Sequence, residues 1–123
     1  MQKIGHIALI AHDPKKLKRF YQNVFDMVLD FETDGAAYGE YIFSDKNIPK
    51  FDIEHISLLE VDMPGTEYKG FFLRFEIDDL DDIKQKCGRY GGFIVREPVK
   101  QEYGTIEMYC EDPEGNLIQV YKL

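Results

Sequence analysis

The stretch His6-Ile7-Ala8-Leu9-Ile10-Ala11-His12-Asp13 reads as a buried strand that runs into the start of a helix, and its pattern recurs in Phe72-Leu73-Arg74-Phe75-Glu76-Ile77-Asp78-Asp79. Asp13 stands before Pro14, an N-cap residue followed by a proline whose missing N–H costs nothing in the first turn. Leu17, Phe20, Tyr21, Val24 and Phe25 then form one apolar helical stripe, with Lys15, Lys16, Lys18 and Arg19 largely off it. The same shift that aligns the two stretches sets Leu17 on Ile83. There Asp78 and Asp79 supply caps, Leu80, Ile83, Cys87 and Tyr90 stripe a second helix, and Gly91-Gly92 stops it. Working outward, the first half predicts strands over Ile4–Ala11, Met27–Glu32, Ala37–Phe43 and Ile53–Val61, with a loop from Lys46 to Lys50. The second half predicts Phe71–Ile77, Phe93–Val95, Gly104–Cys110 and Asn116–Lys122, the last two joined by the turn Asp112-Pro113-Glu114-Gly115. The order βαβββ therefore occurs twice, as a module over about residues 1–62 and another over about 68–123 of one domain.

A chain of 123 residues is the size of a single domain. It carries 15 basic and 23 acidic residues, a net charge of −8, which makes it a poor partner for nucleic acid or for an anionic membrane surface. No apolar run approaches the roughly 20 residues that span a bilayer. The amino end runs straight into a strand pattern and leaves no room for a signal peptide. Cys87 and Cys110 form no CxxC pair and read as small core residues, which suits a reducing compartment. A cytoplasmic location is the expectation.

With these elements in place the chain resembles the vicinal oxygen chelate superfamily, which includes glyoxalase I, extradiol dioxygenases, fosfomycin-resistance transferases and bleomycin-binding proteins. Three segments carry the resemblance: Gly5-His6-Ile7-Ala8-Leu9 with Asp13-Pro14 and Phe20-Tyr21, then Glu76-Ile77-Asp78-Asp79-Leu80, then Glu111-Asp112-Pro113-Glu114-Gly115-Asn116-Leu117-Ile118-Gln119-Val120. The resemblance implies an α+β fold of two βαβββ modules, forming a curled mixed sheet around a cavity with the helices outside. Asp26 stands where relatives place the glycine that ends the first helix; aspartate tolerates the left-handed conformation better than most residues.

The resemblance also implies a divalent metal held by four strand residues, which fall by position on His6, a residue near Glu60, Phe72 and Gln119. His6 can ligate, Gln119 offers a neutral amide oxygen, and Phe72 offers no lone pair. For the remaining position, His55 or Glu60 could be the inward group. No cofactor is therefore expected; if a metal binds, His6, Glu60 and Gln119 are the set.

Strand alternation places Phe72, Arg74 and Glu76 on the cavity face if Leu73, Phe75 and Ile77 face the helix. The same rule puts Leu117, Gln119 and Tyr121 inside, and the resemblance adds Thr105, Glu107 and Tyr109. A sheet face that carries Arg74, Glu76 and Glu107 needs polar answers, either mutual salt bridges or a bound polar ligand. The expected function is a glyoxalase- or bleomycin-resistance-like protein that binds a small polar or aromatic molecule without a metal, a carboxylate-lined cavity suiting a cationic or aromatic ligand. The expected ligand-binding residues are His6, Phe72, Arg74, Glu76, Glu107, Tyr109, Gln119 and Tyr121. The alternative is a metal-dependent glyoxalase-type lyase or isomerase, or a dioxygenase-like enzyme. A homodimer is expected, with Tyr38, Tyr41 and Phe43 as an apolar patch.

Overall fold

Both helix starts are set by aspartate caps. Asp13 Oδ1 accepts from the backbone N–H of Lys16 at 3.1 Å, and Asp79 Oδ1 from that of Asp82 at 3.0 Å, each worth about 1 kcal/mol. They open α1 (Pro14–Val24) and α2 (Leu80–Arg89) in a computed structural model that describes residues 2, 5–34, 39–43, 50–55 and 72–123. On α1 the apolar stripe buries Leu17, Phe20, Tyr21 and Val24. The helix is left through Asp26 at φ 53°, the left-handed turn that the glycine position implies. On α2, Ile83 and Cys87 are buried, and Gly91 at φ 91° turns the chain out.

The chain divides into two compact units, Met1–Met63 and Pro64–Leu123. The first holds β1 (His6–Ala11), α1, β2 (Leu29–Asp34), β3 (Gly39–Phe43) and β4 (Lys50–His55). The second holds β5 (Leu73–Glu76), α2, β6 (Phe93–Lys100), β7 (Ile106–Glu111) and β8 (Leu117–Lys122). The βαβββ order is thus present in both. Each unit is a four-stranded mixed sheet in which the first strand lies parallel to the fourth and the others are antiparallel, in the orders β1-β4-β3-β2 and β5-β8-β7-β6. Each helix packs on its own sheet, α1 against β1, β3 and β4, α2 against β6 and β8. No helix among the described residues is long and apolar enough to cross a membrane.

Two strands depart from the sequence reading. The fourth strand of the first unit, Lys50–His55, starts at Lys50 rather than Ile53, and residues 56–61 of the expected strand lie outside the described residues. Lys50 and Phe51 join it because their partners are His6 and Ile7 of β1, a pairing distant in sequence. Strand β6 runs on past Val95, through Pro98, to Lys100. It is an edge strand with two register shifts against β7, which is where a residue without an N–H can be accommodated.

The two faces of the second sheet differ. Met108, Cys110, Ile118 and Val120 are fully buried on the helix side, about 1.5–3 kcal/mol for each large side chain removed from water. Cys87 and Cys110 are free thiols within that core. The opposite face is polar at its centre.

Candidate functional site

On that opposite face, alternation along β5 leaves Phe72, Arg74 and Glu76 exposed while Leu73, Phe75 and Ile77 are partly covered. Register sets Arg74 beside Gln119, Gln119 beside Tyr109, and Tyr121 beside both Glu76 and Glu107. Four sequence-predicted residues, Arg74, Glu107, Tyr109 and Gln119, therefore meet at the centre of one sheet.

Glu107 is 3% exposed and Gln119 7%. A carboxylate this deep needs donors, and it has them from three directions. Glu107 Oε1 accepts from the Tyr103 hydroxyl at 2.7 Å and the Thr105 hydroxyl at 3.1 Å, and pairs with Arg74 Nη2 at 3.5 Å. Glu107 Oε2 accepts from Gln119 Nε2 at 3.1 Å. Gln119 Nε2 also donates to the Tyr109 hydroxyl at 3.0 Å, while Gln119 Oε1 accepts from Arg74 Nε at 2.6 Å. The Tyr103 hydrogen bond is the main cause holding the Glu107 carboxyl below its ordinary pKa; burial opposes it, and Thr105 and the Arg74 charge assist. The same bond pushes the Tyr103 phenol up, since losing its proton would set two anions together.

Aromatic rings frame the network. The Arg74 guanidinium lies 3.7 Å from the centre of the Tyr121 ring, and Arg96 lies 4.6 Å from that of Tyr109. Phe72 meets Tyr109 edge to face, with centroids 6.1 Å apart. Tyr121 donates its hydroxyl to Glu76 at 3.2 Å. Of the glutamates expected to pair with Arg74, Glu107 does so and Glu76 is engaged by Tyr121 instead.

Alternation and the resemblance did not find Tyr103 and Arg96. Tyr103 lies in a turn closed by Gly104 at φ 102°, with the Gly104 N–H bonded to Gln101 O and the Gln101 N–H bonded to Thr105 O. That geometry brings a side chain four residues before Glu107 back onto its carboxylate. Arg96 sits opposite Tyr109 only because β6 continues past Val95.

The remaining predicted residues belong to the first unit. His6 opens β1, is exposed, and pairs in register with Lys50. Along this unit's sheet, Ala8 takes the place that Arg74 takes in the second, and its register partner is Asp52 as Gln119 is that of Arg74. Asp52, not His55, thus holds the position equivalent to Gln119; His55 pairs with Ala11. Glu60 lies outside the described residues.

The residues of the second unit do not fit the divalent ion that the resemblance implies. Phe72 presents a ring with no lone pair, and the Gln119 amide oxygen already accepts from Arg74 at 2.6 Å, which puts a guanidinium where another cation would have to approach. Among the described residues, no three His, Cys, Asp or Glu side chains group so as to hold an ion.

A family model for the Glyoxalase/Bleomycin resistance protein/Dioxygenase superfamily matches residues 3–120. The chain is 21% identical over 126 residues to the uncharacterized protein YraH of Bacillus subtilis (strain 168), across 98% of each. It is similar to the solved structure of a glyoxalase/bleomycin resistance protein/dioxygenase family enzyme from Burkholderia phytofirmans PsJN, with TM-score 0.77, 16% identity and 96% of both chains covered. A glyoxalase-related enzyme from Fulvimarina pelagi gives TM-score 0.78 at 16% identity, over 100% of this chain and 89% of that one. At such identities the likeness to the solved structures is one of fold.

Proposed function

The chain belongs to the glyoxalase/bleomycin resistance protein/dioxygenase superfamily, and on that premise we propose that it binds a small polar or aromatic molecule on the open face of its second sheet, without a metal ion. The observation that supports this reading is the buried Glu107, hydrogen-bonded on both oxygens, on the sheet face away from the helix. A face that merely met solvent would not need a carboxylate 3% exposed, fixed by two hydroxyls, an amide and a guanidinium. Such a network presets Arg74, Tyr109 and Gln119 before any ligand arrives, which reduces the ordering that binding must otherwise impose.

Binding is favoured over proton-transfer catalysis by the state of the same carboxylate. A general base needs an open lone pair and a pKa near the working pH. Glu107 already accepts hydrogen bonds on both oxygens, and its pKa is held below the ordinary value, away from neutral pH. A glyoxalase-type isomerase would further need a metal to polarise its carbonyl, and the donor set around Gln119 does not suit one.

The test is a thermal-shift screen of a metabolite library against the wild type, Gln119→Ala and Phe72→Ala. A ligand at about 100 times its Kd adds about 2.7 kcal/mol to stability, an upward shift of several degrees for a protein this small. The shift should be lost in Gln119→Ala and reduced in Phe72→Ala, whose ring is 44% exposed. Ligands that bind only after a transition metal is added would overturn the reading in favour of the enzyme.

A further inference from the structure

Resting on that reading, the pattern of engaged and open hydrogen-bonding groups narrows the charge of the ligand. Each acceptor at the centre of the face already holds at least one donor. Glu107 receives Tyr103, Thr105 and Arg74 on Oε1 and Gln119 on Oε2. Gln119 gives both amide hydrogens away, to Glu107 and Tyr109, and its oxygen receives Arg74. The Glu107 carboxylate, the deepest negative charge on the face, is thus turned to donors of the protein itself.

What remains open are donors. Tyr109 accepts from Gln119 and keeps its own hydroxyl proton, for which the described residues provide no acceptor. Arg74 carries five N–H donors in a planar fork. Its Nε is bound to Gln119 and its Nη2 faces Glu107, while the side chain stays 45% exposed. Arg96 rests on the Tyr109 ring and makes no ion pair among the described residues. Two other carboxylates on this face, Glu76 and Glu111, are the last residues of β5 and β7 and stand at opposite ends of the sheet, with Glu76 engaged by Tyr121. Phe72, 44% exposed beside Tyr109, supplies an apolar edge next to these donors.

We propose that the ligand is an anion: a small planar carboxylate whose charged group is held by Arg74 and the Tyr109 hydroxyl, with Arg96 adding positive charge and the body of the molecule against Phe72. The chemistry is that of guanidinium–carboxylate recognition. A planar cation, already oriented by Gln119 and by the Tyr121 ring, meets a planar anion with little further ordering. A chain of net charge −8 does not draw anions in from a distance, so recognition is local and depends on these few groups.

The experiment uses two probes of the same shape and opposite charge, benzoate and benzamidinium, titrated into the full-length protein. Binding is read by NMR from the Arg74 Nε–H, the Gln119 side-chain amide and the neighbouring backbone amides. Benzoate should move these signals in a saturable way, and benzamidinium at equal concentration should leave them in place. Arg96→Met, a change at an exposed position, should weaken benzoate roughly threefold to tenfold. Arg74→Gln should weaken it more, on the order of tenfold or beyond. Should Arg74→Gln fail to fold, the Arg96→Met comparison still decides. Benzamidinium binding as tightly as benzoate would overturn the anion assignment and leave small-molecule binding standing. Silence from both probes would also overturn it, and the functional reading would fall too only if the metabolite screen were equally silent.

Discussion

Tyr103 and Thr105 sit on the turn before β7, and their hydroxyls, with the Arg74 charge, hold the Glu107 carboxyl below its ordinary pKa against the opposing effect of burial. Because the folded carboxyl is held below its unfolded value, this bonding stabilises the fold above the unfolded carboxyl pKa, about 4.3. The contribution is lost as pH falls through the lowered folded value. Tyr103→Phe removes the main cause of the lowering. Its Glu107 should titrate closer to an ordinary glutamate, and its stability should fall off less steeply between about pH 5 and the acid limit. Carbon-detected NMR of the Glu107 carboxyl checks this; an unchanged titration would show that Arg74 and Thr105 suffice alone. Alternation along β5 and β8 made Arg74, Glu76, Gln119 and Tyr121 legible from sequence, since a strand with one apolar face has only one place for its polar residues. Tyr103 was not legible, because what brings it to Glu107 is the conformation of a turn around Gly104 rather than a period.

The β7–β8 hairpin carries most of this site, and its geometry rests on Asp112. That side chain, 3% exposed, accepts from the Glu114 N–H at 2.9 Å, the Asn116 N–H at 3.0 Å and Asn116 Nδ2 at 2.8 Å. Gly115 at φ 86° completes the reversal. Asp112→Ala leaves half-buried donors of Glu114 and Asn116 unanswered and should cost on the order of 1 kcal/mol. Gln119 should then lose its fixed place between Glu107 and Arg74, and ligand affinity should fall with stability. Chemical denaturation and binding on the same variant check this; full stability would contradict it. The turn was readable from Asp112-Pro113-Glu114-Gly115, as both helices were from their caps and stripes. The start of β4 and the end of β6 were not. The start of β4 is set by its pairing with β1, and β6 passes through Pro98 because an edge strand can lack a donor on its free side. Neither partner is local in sequence.

For the molecule as a whole, a homodimer is the expected state. Edge strand β6 exposes Phe93, Val95 and Val99, an apolar row that a second copy would cover. Of the patch expected from sequence, Tyr41 and Phe43 belong to β3, an inner strand of its sheet, and Tyr38 lies outside the described residues. Light scattering over a dilution series should give twice the chain mass of 14.4 kDa; a 14.4 kDa species at micromolar concentration would refute the dimer. The βαβββ repeat was legible because each module restarts with the same strand and cap, whereas the poor fit of the second unit's residues to a divalent ion was legible only in part. Phe72 could be read directly, but the blocking of Gln119 by Arg74 is a contact between strands. On the reading proposed above, this sheet face binds a small organic molecule and needs no metal to do so. Native mass spectrometry of protein purified without chelator reads both halves at once, before and after exposure to the metabolite library. The account predicts a protein free of stoichiometric metal that gains one small-molecule adduct per chain, with the adduct absent from Gln119→Ala. Near-stoichiometric zinc, nickel, iron or manganese on the purified chain, with no adduct in its absence, would contradict it.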